Sequence, residues 1–112
     1  MFTKSEIVGV QIWNAIAGSS GTTALDIRWI NQAGTVQGSI FSTTPKISSA
    51  ASNATRGFRN LETGNDFTKT GVTLPVLSKT TFEEGETLYL EVDSVMTAAQ
   101  NCALTLFIRP RT

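Results

Sequence analysis

The sequence predicts an all-β protein, an antiparallel β-sandwich of jelly-roll type, forming a single domain over residues 1–112. Three observations predict it. Apolar and polar residues alternate in several segments, the period of a strand buried on one side. Short stretches rich in Gly, Asn or Pro separate these segments, as turns do. No segment carries an apolar stripe at helical spacing that would dock a long helix. Composition agrees. Ser and Thr make up about a quarter of the chain and charged residues only 16%, and β-branched Thr suits a half-exposed pleated surface.

The elements follow in order. Glu6 to Ile16 sets Val8, Val10, Ile12 and Ile16 on one parity and Ile7, Gly9, Gln11 and Trp13 on the other. Ala17 to Thr22, small and polar with two glycines, reads as a hairpin or short loop. Thr23 to Ile30 then places Leu25, Ile27 and Trp29 opposite Asp26 and Arg28, a second strand antiparallel to the first. Asn31 to Gly34 supplies turn chemistry before a third strand, Thr35 to Ser42, with Val36, Ile40 and Phe41 as its apolar residues. Pro45 limits further ladder pairing. Lys46 to Asn60 is small and polar, a long connection with room for a helical turn, pinned to the core by Phe58 and Leu61.

Asp66 to Thr73 is ambiguous, with Phe67 and Val72 as anchors, and Thr73 to Leu77 reads as a short edge strand because Pro75 donates no ladder bond. Thr80 to Phe82 leads into an acidic glycine turn, Glu83 to Glu86. Thr87 to Val92 alternates Leu88, Leu90 and Val92 with Tyr89 and Glu91. Ala103 to Pro110 sets Leu104, Leu106 and Ile108 against Thr105 and Phe107.

Residue types exclude most chemistry. With no His, there is no Ser-His-Asp triad, no Cys-His pair and no zinc site that uses His. The lone Cys102 allows no intrachain disulfide and, ahead of an apolar run, reads as a small buried hydrophobe. Gly18 to Thr22 lacks the spacing, the Lys and the following helix of a phosphate loop. Glu83, Glu84 and Glu86 lack calcium-loop spacing, so no metal or other cofactor is expected. Nine basic residues balance nine acidic ones. The nearest things to a basic patch, Arg56 with Arg59 and Arg109 with Arg111, are too sparse for nucleic acid. No stretch approaches a membrane span or a signal core. Glu91 and Asp93 share one parity, and a glycosidase built on that pair is the one enzyme reading left.

The aromatics are more informative. Trp29 aligns with Leu25 and Ile27 and reads as core, whereas Trp13 opposes its strand's main apolar set. An outward ring on a rigid sheet stacks on a sugar, or is covered by another subunit or by the long connection. Tyr89 and Phe107 also oppose their strands' aliphatic residues, which suggests a second surface covered by a partner.

Ala17-Gly18-Ser19-Ser20-Gly21-Thr22-Thr23-Ala24-Leu25-Asp26-Ile27 and Gly38-Ser39-Ile40-Phe41-Ser42-Thr43-Thr44-Pro45-Lys46-Ile47 are similar to stretches of small β-sandwich domains in phage tail fibres. With Thr81 to Val92 and Ala103 to Leu106, the pattern also resembles the C-terminal tip domains of trimeric fibre adhesins, the mosaic adhesive trimer proteins of predatory bacteria such as Bdellovibrio. The resemblance runs from Val8 to Arg109 and rests on turns and core positions. It implies a homotrimer at a fibre end, extracellular or on a cell surface, gripping a glycan or another envelope component without catalysis. Candidate ligand contacts are Trp13, Asn14, Arg28, Arg56, Arg59 and Asn60. The alternative is a structural virion protein, a capsid decoration or head-fibre domain that binds no sugar.

Overall fold

The computed structural model describes residues 3–111. Among them run eleven strands: β1 (Ser5–Ile16), β2 (Thr22–Ile30), β3 (Gln37–Ser39), β4 (Phe41–Thr43), β5 (Lys46–Ser48), β6 (Thr55–Asn60), β7 (Val72–Thr73), β8 (Val76–Leu77), β9 (Thr81–Phe82), β10 (Thr87–Ser94) and β11 (Gln100–Pro110). The described residues form no helix, and every strand pair is antiparallel, as the alternation predicts. Accordingly, no described helix is long and apolar enough to cross a membrane.

One sheet has the order β11-β1-β6, with β9 also pairing to β1; the second has the order β10-β2-β5-β7, with β3 also pairing to β2. β4 and β8 form a small ribbon of their own. The expected pairing of the first two strands is therefore corrected: β1 and β2 lie in different sheets. The small-residue loop between them makes that crossing. Its Ser19 amide bonds the Thr97 carbonyl, and Gly18 lies so close to Met96 that a Cβ would come within 2.4 Å of it. Having left the plane of β1, the chain brings its apolar parity back toward it, so that Ile7 and Val10 of β1 share a buried cluster with Ile27 of β2. A second cluster joins Ile12, Leu25, Ile47, Ala51 and Met96. Each buried Val, Leu, Ile or Met among them contributes about 1.5–3 kcal/mol relative to exposure.

Parity along β1 differs from the regular alternation because the register shifts between Ile7 and Gly9. This bulge turns Ile7 inward beside Val10 and Ile12, leaves Val8 half-buried, and lets Ile16 emerge at the strand's end. The third predicted strand is two. Ile40 separates β3 from β4, its amide bonding the Ile27 carbonyl, after which β4 pairs with β8. Val36 stays half exposed while Ile40 and Phe41 are buried.

The largest difference falls in Lys46 to Asn60, which forms β5 and β6 in place of a helical turn. β6 has little apolar pattern because its inner positions are Thr55, Gly57 and Arg59. Gly57 lies beneath Val72 and Leu74, where an added Cβ would fall 2.5 Å from Val72. The segment from Thr73 to Leu77 splits into β7 and β8 around a buried Pro75.

Candidate functional site

Antiparallel register places a ladder of side chains on the outer surface of the β11-β1-β6 sheet. Across β1, Trp13 is opposite Ala103 on one side and Arg56 on the other. In the next row, Gln11 is opposite Thr105 and Phe58. Gly9 is opposite Phe107 and Asn60. Paired residues in a ladder share a face, so Trp13, Arg56, Phe58, Phe107 and Asn60 project from one surface.

Phe67 extends this surface by one strand. It bridges to Phe58 through two backbone hydrogen bonds of 2.7 and 2.8 Å. Lys69 follows two residues further along that segment. The Arg56 guanidinium lies 5.0 Å from the Phe67 ring centre and the Lys69 ammonium 5.9 Å from it. Arg56 also donates a hydrogen bond to Gln11 Oε1 at 3.3 Å. Phe58 and Phe107 meet edge to face at 5.4 Å. They close over β1 because Gly9 between them has no side chain; a Cβ there would lie 2.8 Å from the Phe58 ring. Phe67 and Phe107 are 38% and 42% exposed, while Trp13 and Phe58 are partly buried. Beside these rings, Ala50, Ser52, Thr68, Lys69 and Thr70 line an open depression of about 640 Å³.

Of the six predicted contacts, Trp13 and Arg56 stand opposite each other on this face, and Asn60 lies further along it with its Oδ1 accepting from the Glu62 and Thr63 amides. Asn14 is fully buried, so it touches no outside ligand; its parity with Ile12 turns it into the core. Arg59 takes the opposite parity to Arg56, donating to the Pro75 carbonyl at 2.9 Å and pairing with Asp66 at 2.5 Å. Arg28 stands on the outer side of the other sheet, where its guanidinium donates to Tyr89 Oη at 3.3 Å. That hydrogen bond, with the negative charge of Glu91 and Asp26 nearby, raises its pKa further. Tyr89 and Phe107 therefore occupy outer faces of different sheets and make no common surface. Phe58 and Phe67, expected as core anchors, are the face residues that periodicity missed. Reading Thr55 to Asn60 as a strand would have put Phe58 on the parity of Arg56 and Asn60.

Around Arg28, one carboxylate oxygen from each of Asp26, Glu91 and Asp93 lies within 4.8 Å of the others. Asp26, buried, accepts a hydrogen bond from Ser39 Oγ at 2.5 Å. A hydrogen bond that protonated Glu91 donates to Asp93, some desolvation and the like charge of Asp93 raise the Glu91 pKa, against the pull of Arg28. These are the carboxylates with ligand geometry for a cation, but they are already occupied by Ser39, Arg28 and each other.

The two sheets leave one side open. β6 covers β7 through Gly57, so the edge strands β10 and β11 flank the opposite side. Leu90 and Val92 share the inward parity of their partners Ile27 and Leu25. Yet they are 55% and 53% exposed, against 8% and 5% for those partners. Ile108 is 42% exposed opposite a buried Ile7. No family model, curated protein or solved structure matches this chain.

Proposed function

We propose that this chain is a non-catalytic recognition domain, a β-sandwich that works as the tip of a homotrimeric fibre and grips a cell-surface glycan. The observation that carries the reading is the group of rings on one face, exposed Phe67 and Phe107 with partly buried Trp13 and Phe58, with Arg56 and Asn60 among them. The apolar C–H face of a pyranose packs on such rings, and the polar neighbours fix its hydroxyls. Strand-borne rings lose little freedom on binding, which favours recognition over flexible capture. The sandwich architecture has the support of a least extent of 20 Å, which suits two stacked sheets about 10 Å apart.

Trimerisation draws on the open side. An inward-facing apolar row left in water is a surface that another subunit covers. The only charges on β10 are the acids Glu91 and Asp93, whereas β11 carries only Arg109. Glu91 and Arg109 are already paired within the chain, Glu91 with Arg28 and Arg109 with Glu6 and Glu62. The apolar rows therefore carry the contact of β10 with β11 of the next copy, a heterologous one that forms a ring where its rotation closes. Three such sites on one fibre gain avidity without any being tight. A structural virion protein would use the same open side but leave the aromatic face without a sugar.

Binding of labelled protein to an oligosaccharide array separates the two. Trp13→Ala and Arg56→Ala are each expected to lower retention by about tenfold, the effect of losing a central anchor. Retention unchanged in both variants would overturn this site.

A further inference from the structure

We propose that the saccharide held on the β11-β1-β6 face is anionic, its carboxylate or sulfate bound between Arg56 and Lys69 while its ring stacks on the neighbouring aromatics. This rests on the recognition reading above and adds the charge of the ligand. The inference comes from the distribution of ion pairs. Lys4, Arg28, Arg59, Lys79, Arg109 and Arg111 each lie within 4.0 Å of a carboxylate. Arg56 and Lys69 do not, among the described residues; Phe67 is what both of them touch. The nearest carboxylate along the chain, Asp66, is taken by Arg59 and by the Asn60 amide. The face thus holds two cations with no acid within ion-pair distance, while its acids Glu6 and Glu62 are taken by Arg109.

The geometry suits an anion. Arg56 and Lys69 both border the Phe67 ring, and an oxyanion placed near both is attracted by both. Resting on the Phe67 ring, Arg56 is held by the ring's π electrons, so its orientation is set without consuming its donors. One of its amino groups donates to Gln11, and the remaining N–H groups are available as a fork for a carboxylate or sulfate. Lys69 supplies a second, more mobile point charge. Trp13, opposite Arg56 in the ladder, lies where the sugar ring attached to that anion would stack.

The test uses the full chain and three probes: a hexasaccharide of uronic acid, the same hexasaccharide with its carboxyls reduced to alcohols, and a sulfated dextran oligosaccharide. Titration calorimetry at low salt is expected to show the uronic acid probe binding about tenfold or more tightly than its reduced form. Raising the ionic strength weakens that advantage. Arg56→Gln combined with Lys69→Gln abolishes the difference between the two probes. Lys46→Gln, which removes an unpaired cation from the other sheet, preserves it. Sulfated dextran bound through the same two cations assigns sulfate, and its failure to bind assigns carboxylate. Equal affinity for the charged and reduced probes, or a difference that survives the double variant, overturns the inference while the glycan reading stands. Retention of no saccharide, charged or neutral, removes the glycan reading itself.

Discussion

Asn14 is the residue whose chemistry sits least comfortably in the fold. Its side chain is fully buried, and neither its Oδ1 nor its Nδ2 has a hydrogen-bond partner among the described residues. A buried amide without partners costs about 1–3 kcal/mol per group. Asn14→Leu, which keeps the branching without the polar atoms, is expected to raise stability by about 1–3 kcal/mol in urea unfolding; a lower midpoint would mean that the amide has a structural role. Glu91 supplies a residue-scale pH effect. Hydrogen bonding to Asp93 lets the folded chain hold the Glu91 proton more tightly than the unfolded chain does. Stability from this group is present at low pH and lost as pH rises from the unfolded carboxylate pKa through the raised folded one. Glu83, whose pKa Arg111 lowers, acts in the opposite sense, losing its contribution as pH falls through its folded pKa. Glu91→Gln should flatten the decline on the rising side, measured as thermal midpoint against pH, and an unaltered profile would refute the pairing. Asn14 was expected as a ligand contact, although its parity with Ile12 already pointed inward, as its burial shows. Its lack of partners was not legible, since that depends on what β6 and β11 place beside it.

At the scale of elements, β5 and β7 depend on one close approach. Gly71 has φ +85° and its carbonyl accepts from the Ser48 amide at 2.8 Å. A Cβ there would meet the Ala51 backbone nitrogen at 2.5 Å, and backbone cannot move aside as a flexible side chain does. Gly71→Ala is expected to cost about 2–3 kcal/mol, the left-handed strain added to that clash, read from the unfolding midpoint. An unchanged midpoint would show that the β5–β7 pairing adds little. Strands with a strong period of two, such as β2 and β10, were legible in the sequence. β6 was not, because Thr55, Gly57 and Arg59 give an inner face without apolar bulk, and its place depends on Val72 and Leu74 arriving from a distant segment.

For the whole molecule, the open side between β10 and β11 is the feature that one chain leaves unfinished. If copies of the chain close it, charges at its centre should prevent assembly without unfolding the subunit, since those positions are already half exposed. Light scattering on the parent chain is expected to give the mass of three chains. Leu90→Glu combined with Val92→Glu is expected to give that of one, with the far-ultraviolet spectrum retained. A monomeric parent chain would remove the trimer, and a trimeric variant would move the interface elsewhere.

The sequence by itself determined the all-β class, the antiparallel strands and the outward parity of Trp13, because alternation is local and each strand carries its own record of which side is buried. Only the tertiary structure decided that β1 and β2 part into different sheets, that Phe67 and Lys69 join Trp13 and Arg56 on one face, and that β10 and β11 leave their inner side uncovered. Those outcomes depend on which distant segments become neighbours, and a period of two within a strand says nothing about its neighbours.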